Sequence, residues 1–276
     1  MLLQLCPLSE NAVAVGVDEF LTSRRRLLQG AMVLLSSAGV AASEPVLAQP
    51  AAERAPPEQV KILFCGDSLA QGMFLSLNGV LRRRANLRIV NGTLHATGVT
   101  RSDEHDWPTA ARDLVARNNP NLVIFWIGAN DFRPLVVREQ RTRFAFGTQG
   151  FADGYGRRVT EMVAPALASG ARVVWFGLPN MRNAQFAGAA RQLNEIQQNA
   201  VVMAGGVFIP TWEATSDPQG RFTPSVTLDR GARTFRAEDG VHFTDWGYRR
   251  IASLFFDEVD HFFPDLAPGL GRLNDT

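Results

Sequence analysis

Five short runs of β-branched and aromatic residues, each followed by a stretch long enough for a helix, constrain this chain more than any other feature. They are Val60–Phe64, Leu87–Val90, Leu122–Ile127, Arg172–Phe176 and Val207–Ile209. None shows the regular polar alternation of a strand with one wet face. Such runs suit strands buried on both faces, as in a parallel sheet. The segments 68–84, 106–118, 151–169 and 186–204 provide crossover helices, and Gly247–Phe262 a last one. Alternating β and α elements predict a three-layer α/β/α sandwich.

In an open α/β sheet, ligands bind beyond the carboxyl ends of the strands. Reactive residues should therefore follow the runs directly. Gly66-Asp67-Ser68 follows the first run, and a polar loop from Asn91 to Asp103 follows the second. Gly128-Ala129-Asn130-Asp131 closes the third, and Gly177-Leu178-Pro179-Asn180 the fourth.

The N-terminus carries a different signal. Arg24-Arg25-Arg26 precede an apolar, small-residue run from Gly30 to Ala42, and Val46-Leu47-Ala48 offers a small-residue cleavage site. That is the layout of an export signal. The paired arginines resemble a twin-arginine (Tat) signal, which carries folded cargo. The run is shorter than the roughly 20 apolar residues a membrane span needs. Residues 1–48 are thus read as an export signal, 49–58 as a disordered leader rich in Pro, Ala and charge, and 59–276 as one domain. This places the mature protein in the periplasm or outside the cell, touching a membrane only during export. Once Cys6 is removed, Cys65 has no partner for an intramolecular disulfide, and its apolar run marks it as a buried thiol. A net charge of +1 gives no electrostatic footprint for nucleic acid.

Ser68 falls where a strand turns into a helix, so its hydroxyl and N–H face the rim, where the helix dipole favours developing negative charge. Taken alone, Gly-Asp-Ser reads equally as an ordinary N-cap. A serine hydroxyl needs a base to take its proton. Of the four histidines (His95, His105, His242, His261), His242 alone has a carboxylate, Asp239, three residues earlier across a Gly-containing turn. That spacing lets the carboxylate hold one ring nitrogen while the other accepts the serine proton. Asn130 brings a side-chain amide to the same rim, where acyl transfer needs preorganised donors for an oxyanion. Its other reading is common turn chemistry.

In this order the pieces resemble the block pattern of the SGNH (GDSL-like) hydrolases, over essentially all of residues 60–262. Gly66-Asp67-Ser68-Leu69 resembles the nucleophile block, Gly128-Ala129-Asn130-Asp131 the oxyanion-donor block, and Asp239-Gly240-Val241-His242 the acid–base block. The stretches 96–103, 106–108, 177–183 and 242–248 look like the bacterial subgroup called DUF459. The resemblance implies a flavodoxin-like five-stranded parallel sheet of order 2-1-3-4-5. It also implies Ser68, His242 and Asp239 as a catalytic triad. The implied oxyanion hole is made of the Ser68 and Gly98 N–H groups and the Asn130 amide. Gly98 is preferred to Gly92 for its place in the Thr-Gly-Val stretch, although the Asn that usually precedes the block glycine is missing there. Asp67 reads as a helix cap or loop brace.

The resulting expectation is an exported serine esterase acting on O-acyl esters of envelope or extracellular glycans, with no metal or organic cofactor. Its substrate is an acylated carbohydrate or other small ester. A glycan O-acyltransferase with the same triad, or a non-catalytic glycan-binding protein, are the alternatives. A metal-dependent phosphoesterase built on Asp67, Asn130, Asp131 and His242 lacks recognisable ligand spacing. Trp107, Arg101 and Arg182 read either as lining for the acceptor or as packing and solvated charge. The Arg- and Phe-rich loop 133–150 is the expected seat of specificity.

Overall fold

The five apolar runs form one parallel sheet, in the order β2-β1-β3-β6-β7. The strands are β1 (Val60–Gly66), β2 (Leu87–Thr93), β3 (Leu122–Trp126), β6 (Arg172–Phe176) and β7 (Val207–Ile209). Counting sheet strands alone, this is the order 2-1-3-4-5. The structure is a computed structural model. It describes residues 57–137, 142–229 and 231–273, which lie in the compact unit Ala51–Thr276. The stretch read as an export signal, and all but two residues of the leader, lie outside the described residues.

Strand pleating explains how the core is divided. Successive side chains point to opposite faces, and β3 is buried along its whole length. Phe125 stacks on Trp175 of the neighbouring strand at 5.2 Å, and the Trp175 indole donates to Gln197 on one face. Trp126, the next residue, packs against Phe176, Phe243 and Tyr248 on the other. Helices cover both faces. One layer holds α1 (Ser68–Leu81) packed on α5 (Asp245–Phe256). The other holds α2 (Trp107–Asn118), α3 (Gln149–Ala168) and α4 (Ala184–Ala204), packed in series. In α1, Leu69, Met73, Leu77 and Leu81 recur every fourth residue and are fully buried, which sets the helix on the sheet.

Three features depart from the sequence expectation. The last predicted helix breaks after Phe256 into α5 and the short α6 (Val259–Phe262), followed by α7 (Ala267–Leu270). Asp257 at the break accepts the Leu273 N–H through its carboxylate, a tertiary contact that helical periodicity does not reveal. The 133–150 loop contains an antiparallel pair, β4 (Leu135–Val137) with β5 (Thr142–Phe144), and reaches into α3. A second pair, β8 (Ser225–Leu228) with β9 (Gly231–Thr234), precedes the Asp239 turn. Cys65 is buried in β1, and burial pushes its thiol pKa up.

Candidate active site

β1 ends at Gly66 with φ +137°, and a Cβ there would lie 2.1 Å from the Trp126 carbonyl oxygen. Only glycine fits this approach of two parallel strands. The chain then turns directly into α1, with Asp67 as N-cap accepting from the Leu69 N–H at 2.9 Å. Ser68 is thus the first helical residue, largely buried, and its N–H has no intrahelical acceptor.

From the other end of the sequence, Asp239-Gly240-Val241-His242 forms a turn whose Asp239 Oδ1 accepts the N–H groups of Val241 (2.8 Å) and His242 (2.9 Å). Asp239 Oδ2 lies 2.6 Å from His242 Nδ1, and His242 Nε2 lies 2.7 Å from Ser68 Oγ. Partial burial would raise the Asp239 carboxyl, but hydrogen bonds from the His242 ring and the two N–H groups outweigh it and hold the pKa at about 2. The carboxylate is therefore ionised across the neutral range, and the Nδ1 proton belongs between ring and carboxylate. This leaves Nε2 to accept from the serine hydroxyl.

The oxyanion side is less simple. Asn130 is half-buried, and its Nδ2 donates one hydrogen to the Thr97 carbonyl at 2.8 Å, leaving the second N–H available. Gly98 is buried, and a Cβ on it would lie 2.2 Å from Asp131 Oδ1. The Thr97–Gly98 peptide is planar and trans, so with its oxygen turned to Asn130 its N–H points the opposite way. In this arrangement the Gly98 N–H and the Asn130 amide do not converge on one point. Ser68 N–H and Asn130 remain as candidate donors, and the same loop carries an exposed, left-handed Ala96 at φ +58°.

Behind the rim lie braces that sequence reasoning noticed only in part. Asp67 is fully buried, and its Oδ2 accepts the N–H groups of Gly128 (2.9 Å) and Ala129 (3.0 Å), tying β1 to the loop that carries Asn130. Burial pushes its pKa up to about 7, against the opposing pull of the three backbone donors. Asp131, also fully buried, accepts from the Val99 and Thr100 N–H groups, the Thr100 hydroxyl and the Tyr155 hydroxyl. Burial raises the Tyr155 pKa, with the Asp131 charge adding to it.

Arg236 is 2% exposed and was not singled out in the sequence. Its guanidinium donates to four carbonyls: Asn180 (2.7 Å), Val241 (2.9 Å), Gly240 (3.0 Å) and His242 (3.3 Å). It also lies against the rings of Phe243 and Phe222. Burial lowers its pKa to about 10, so it remains a cation. The signal for it was weak, because its partners are backbone oxygens that no residue pattern specifies.

Other candidates fall to structural duties. Trp107 is fully buried, with its indole N–H donating to Thr97 Oγ1 at 3.1 Å. Arg101 is held by Asp103 and Glu104. Arg182 donates to the Glu238 carbonyl and braces the Asp239 turn. Among the described residues, no three His, Cys, Asp or Glu side chains gather as metal ligands.

The sheet order and flanking helices are those of the SGNH (GDSL-like) hydrolase fold. A GDSL-like lipase from Bacteroides thetaiotaomicron superposes with a TM-score of 0.53 at 15% identity, covering 77% of this chain and 94% of that one. A catalytic mutant of an acetylxylan esterase from Geobacillus stearothermophilus gives 0.53 at 17% identity, covering 75% and 96%. At such identity the likeness speaks for the fold alone. The chain belongs to the family described as "Protein of unknown function (DUF459)", which matches residues 61–258. No curated protein sequence matches it.

Proposed function

We propose that this protein is an exported serine esterase that cleaves O-acyl esters of cell-envelope or extracellular glycans. The observation carrying the proposal is the continuous Asp239–His242–Ser68 line, with contacts of 2.6 and 2.7 Å. In the reaction, His242 Nε2 takes the Ser68 proton as Oγ attacks the ester carbonyl. The resulting oxyanion is met by the Ser68 N–H and the free Asn130 N–H. As the C–O bond to the sugar breaks, His242 returns the proton to the departing hydroxyl, leaving an acyl-serine. Water, deprotonated by the same histidine, then releases the acid. No cofactor takes part. The acetylxylan esterase of the same fold supports an acylated sugar as substrate class, and the arginine-led apolar segment at 24–42 supports export.

The test is to treat the purified protein with a fluorophosphonate probe and with short p-nitrophenyl esters, alongside Ser68→Ala. Labelling and turnover that disappear together in Ser68→Ala are the expected result. A folded wild-type protein that neither labels nor turns over ester would overturn the proposal.

A further inference from the structure

The sheet carries a concavity at its β7 edge, with a volume of about 770 Å³. That lies within the range of roughly 300–1,000 Å³ typical of small-molecule sites. Its apolar surfaces are the rings of Phe208 and Trp212, and its polar ones are Arg191, Glu195, Gln198 and Glu213. The Arg191 guanidinium lies 4.5 Å from the Trp212 ring centroid and steadies the indole. Among the described residues, the side chains of Glu195, Gln198 and Glu213 have no hydrogen bond or ion pair.

This groove is linked to the Asp239–His242 turn through two successive buried residues, Asn180 and Arg236. Ser216 and Gly220, in its wall, accept from the Asn180 side chain at 2.9 and 3.2 Å. The Asn180 carbonyl accepts from Arg236, which in turn holds the carbonyls of Gly240, Val241 and His242. Pro210, Thr211 and Trp212 of the groove follow β7 directly, as Ser68 follows β1, so the groove and the triad stand on the carboxyl side of one sheet.

The lining selects the chemistry of that ligand. A pyranose ring has an apolar C–H face, suited to an aromatic ring, and a rim of hydroxyls, suited to carboxylate, guanidinium and amide groups. The charge balance argues against a polyanion. Asp217 is paired with Arg221 at 2.8 Å, which leaves Glu195 and Glu213 against Arg191. We infer that the groove is a subsite for a neutral glycan chain, holding sugars beyond the one whose ester reaches Ser68. This deepens, and for its kinetic arm rests on, the reading of Ser68 as an ester-cleaving nucleophile.

The binding arm needs no turnover. The full chain carrying Ser68→Ala is titrated calorimetrically with cellohexaose, xylohexaose and chitohexaose, with an oligogalacturonate of equal length as the acidic comparison. At least one neutral hexaose should bind, the galacturonate should not, and adding Trp212→Ala should weaken binding about tenfold. In the active protein, Trp212→Ala should lower about tenfold the ratio of kcat/KM on the acetylated hexaose to that on p-nitrophenyl acetate, and Trp212→Phe should recover much of it. The inference is overturned if no neutral hexaose binds the folded protein, if the galacturonate binds better, or if Trp212→Ala leaves affinity and ratio unchanged. Hexaose binding without any ester turnover strikes the proposed reaction and keeps the subsite. Ester turnover without hexaose binding does the reverse.

Discussion

Replacing Arg236 with Met removes the charge and every donor while keeping an unbranched side chain that still packs on Phe222 and Phe243. Two of the four carbonyls it serves keep a backbone donor. Gly240 O also accepts from the Arg182 N–H (3.1 Å), and His242 O from the Ala237 N–H (2.9 Å). The carbonyls of Asn180 and Val241 would lose the donor that Arg236 supplies. Asn180 is buried and Val241 partly so. At about 1–3 kcal/mol for a buried orphaned group and less for a partly wetted one, the loss comes to about 2–4 kcal/mol. In a domain of this size that lowers Tm by roughly 4–16 °C. Arg236→Lys, which keeps the charge and three donors but not the planar fork, should lose less than half as much. Because Val241 adjoins His242, the Met variant should also loosen the 2.7 Å contact to Ser68. A misplacement of about 1 Å costs on the order of 10²-fold in rate. The assays are urea unfolding and the second-order rate of fluorophosphonate labelling. An Arg236→Met protein as stable as wild type, or one that labels within twofold of it, would refute the claim that this guanidinium positions the Asp239–His242 turn.

Two further changes probe the braces behind the rim. Asp67→Asn exchanges one carboxylate oxygen for an NH₂ group. In either orientation that group faces a backbone donor, Leu69 on one side or Gly128 and Ala129 on the other. Denaturant unfolding should show a loss of about 1–3 kcal/mol, and unchanged stability would contradict the brace. Gly98→Ala sets a methyl group 2.2 Å from Asp131 Oδ1 and forces apart the carboxylate and the loop it grips. A loss of about 1–3 kcal/mol together with slower labelling is expected. Normal stability and labelling would show that the loop moves freely at that point.

The sequence alone carried whatever depends on local pattern. Unbroken apolar runs imply strands wet on neither face, which holds for β1, β3 and β6, whereas β2 and β7, at the edges of the sheet, are only partly buried. Glycine before Asp67-Ser68 signalled the strand-to-helix turn, and a spacing of three allowed Asp239 to reach the His242 ring. The strand order came only through family resemblance, because periodicity says nothing about which strand lies beside which. Tertiary structure decided the rest. Ser68 and His242 are 174 positions apart, and the packing of α1 on α5, together with the hold of Arg236 on the His242 turn, brings them within 2.7 Å. Sequence placed Gly98 and Asn130 on one rim, but the plane of a single peptide turns their N–H groups apart. Arg236 was invisible for a related reason. A cation that pairs with a carboxylate leaves a partner to find in the sequence, whereas one that pairs with backbone carbonyls does not, since every residue has such an oxygen and only the fold decides where it points.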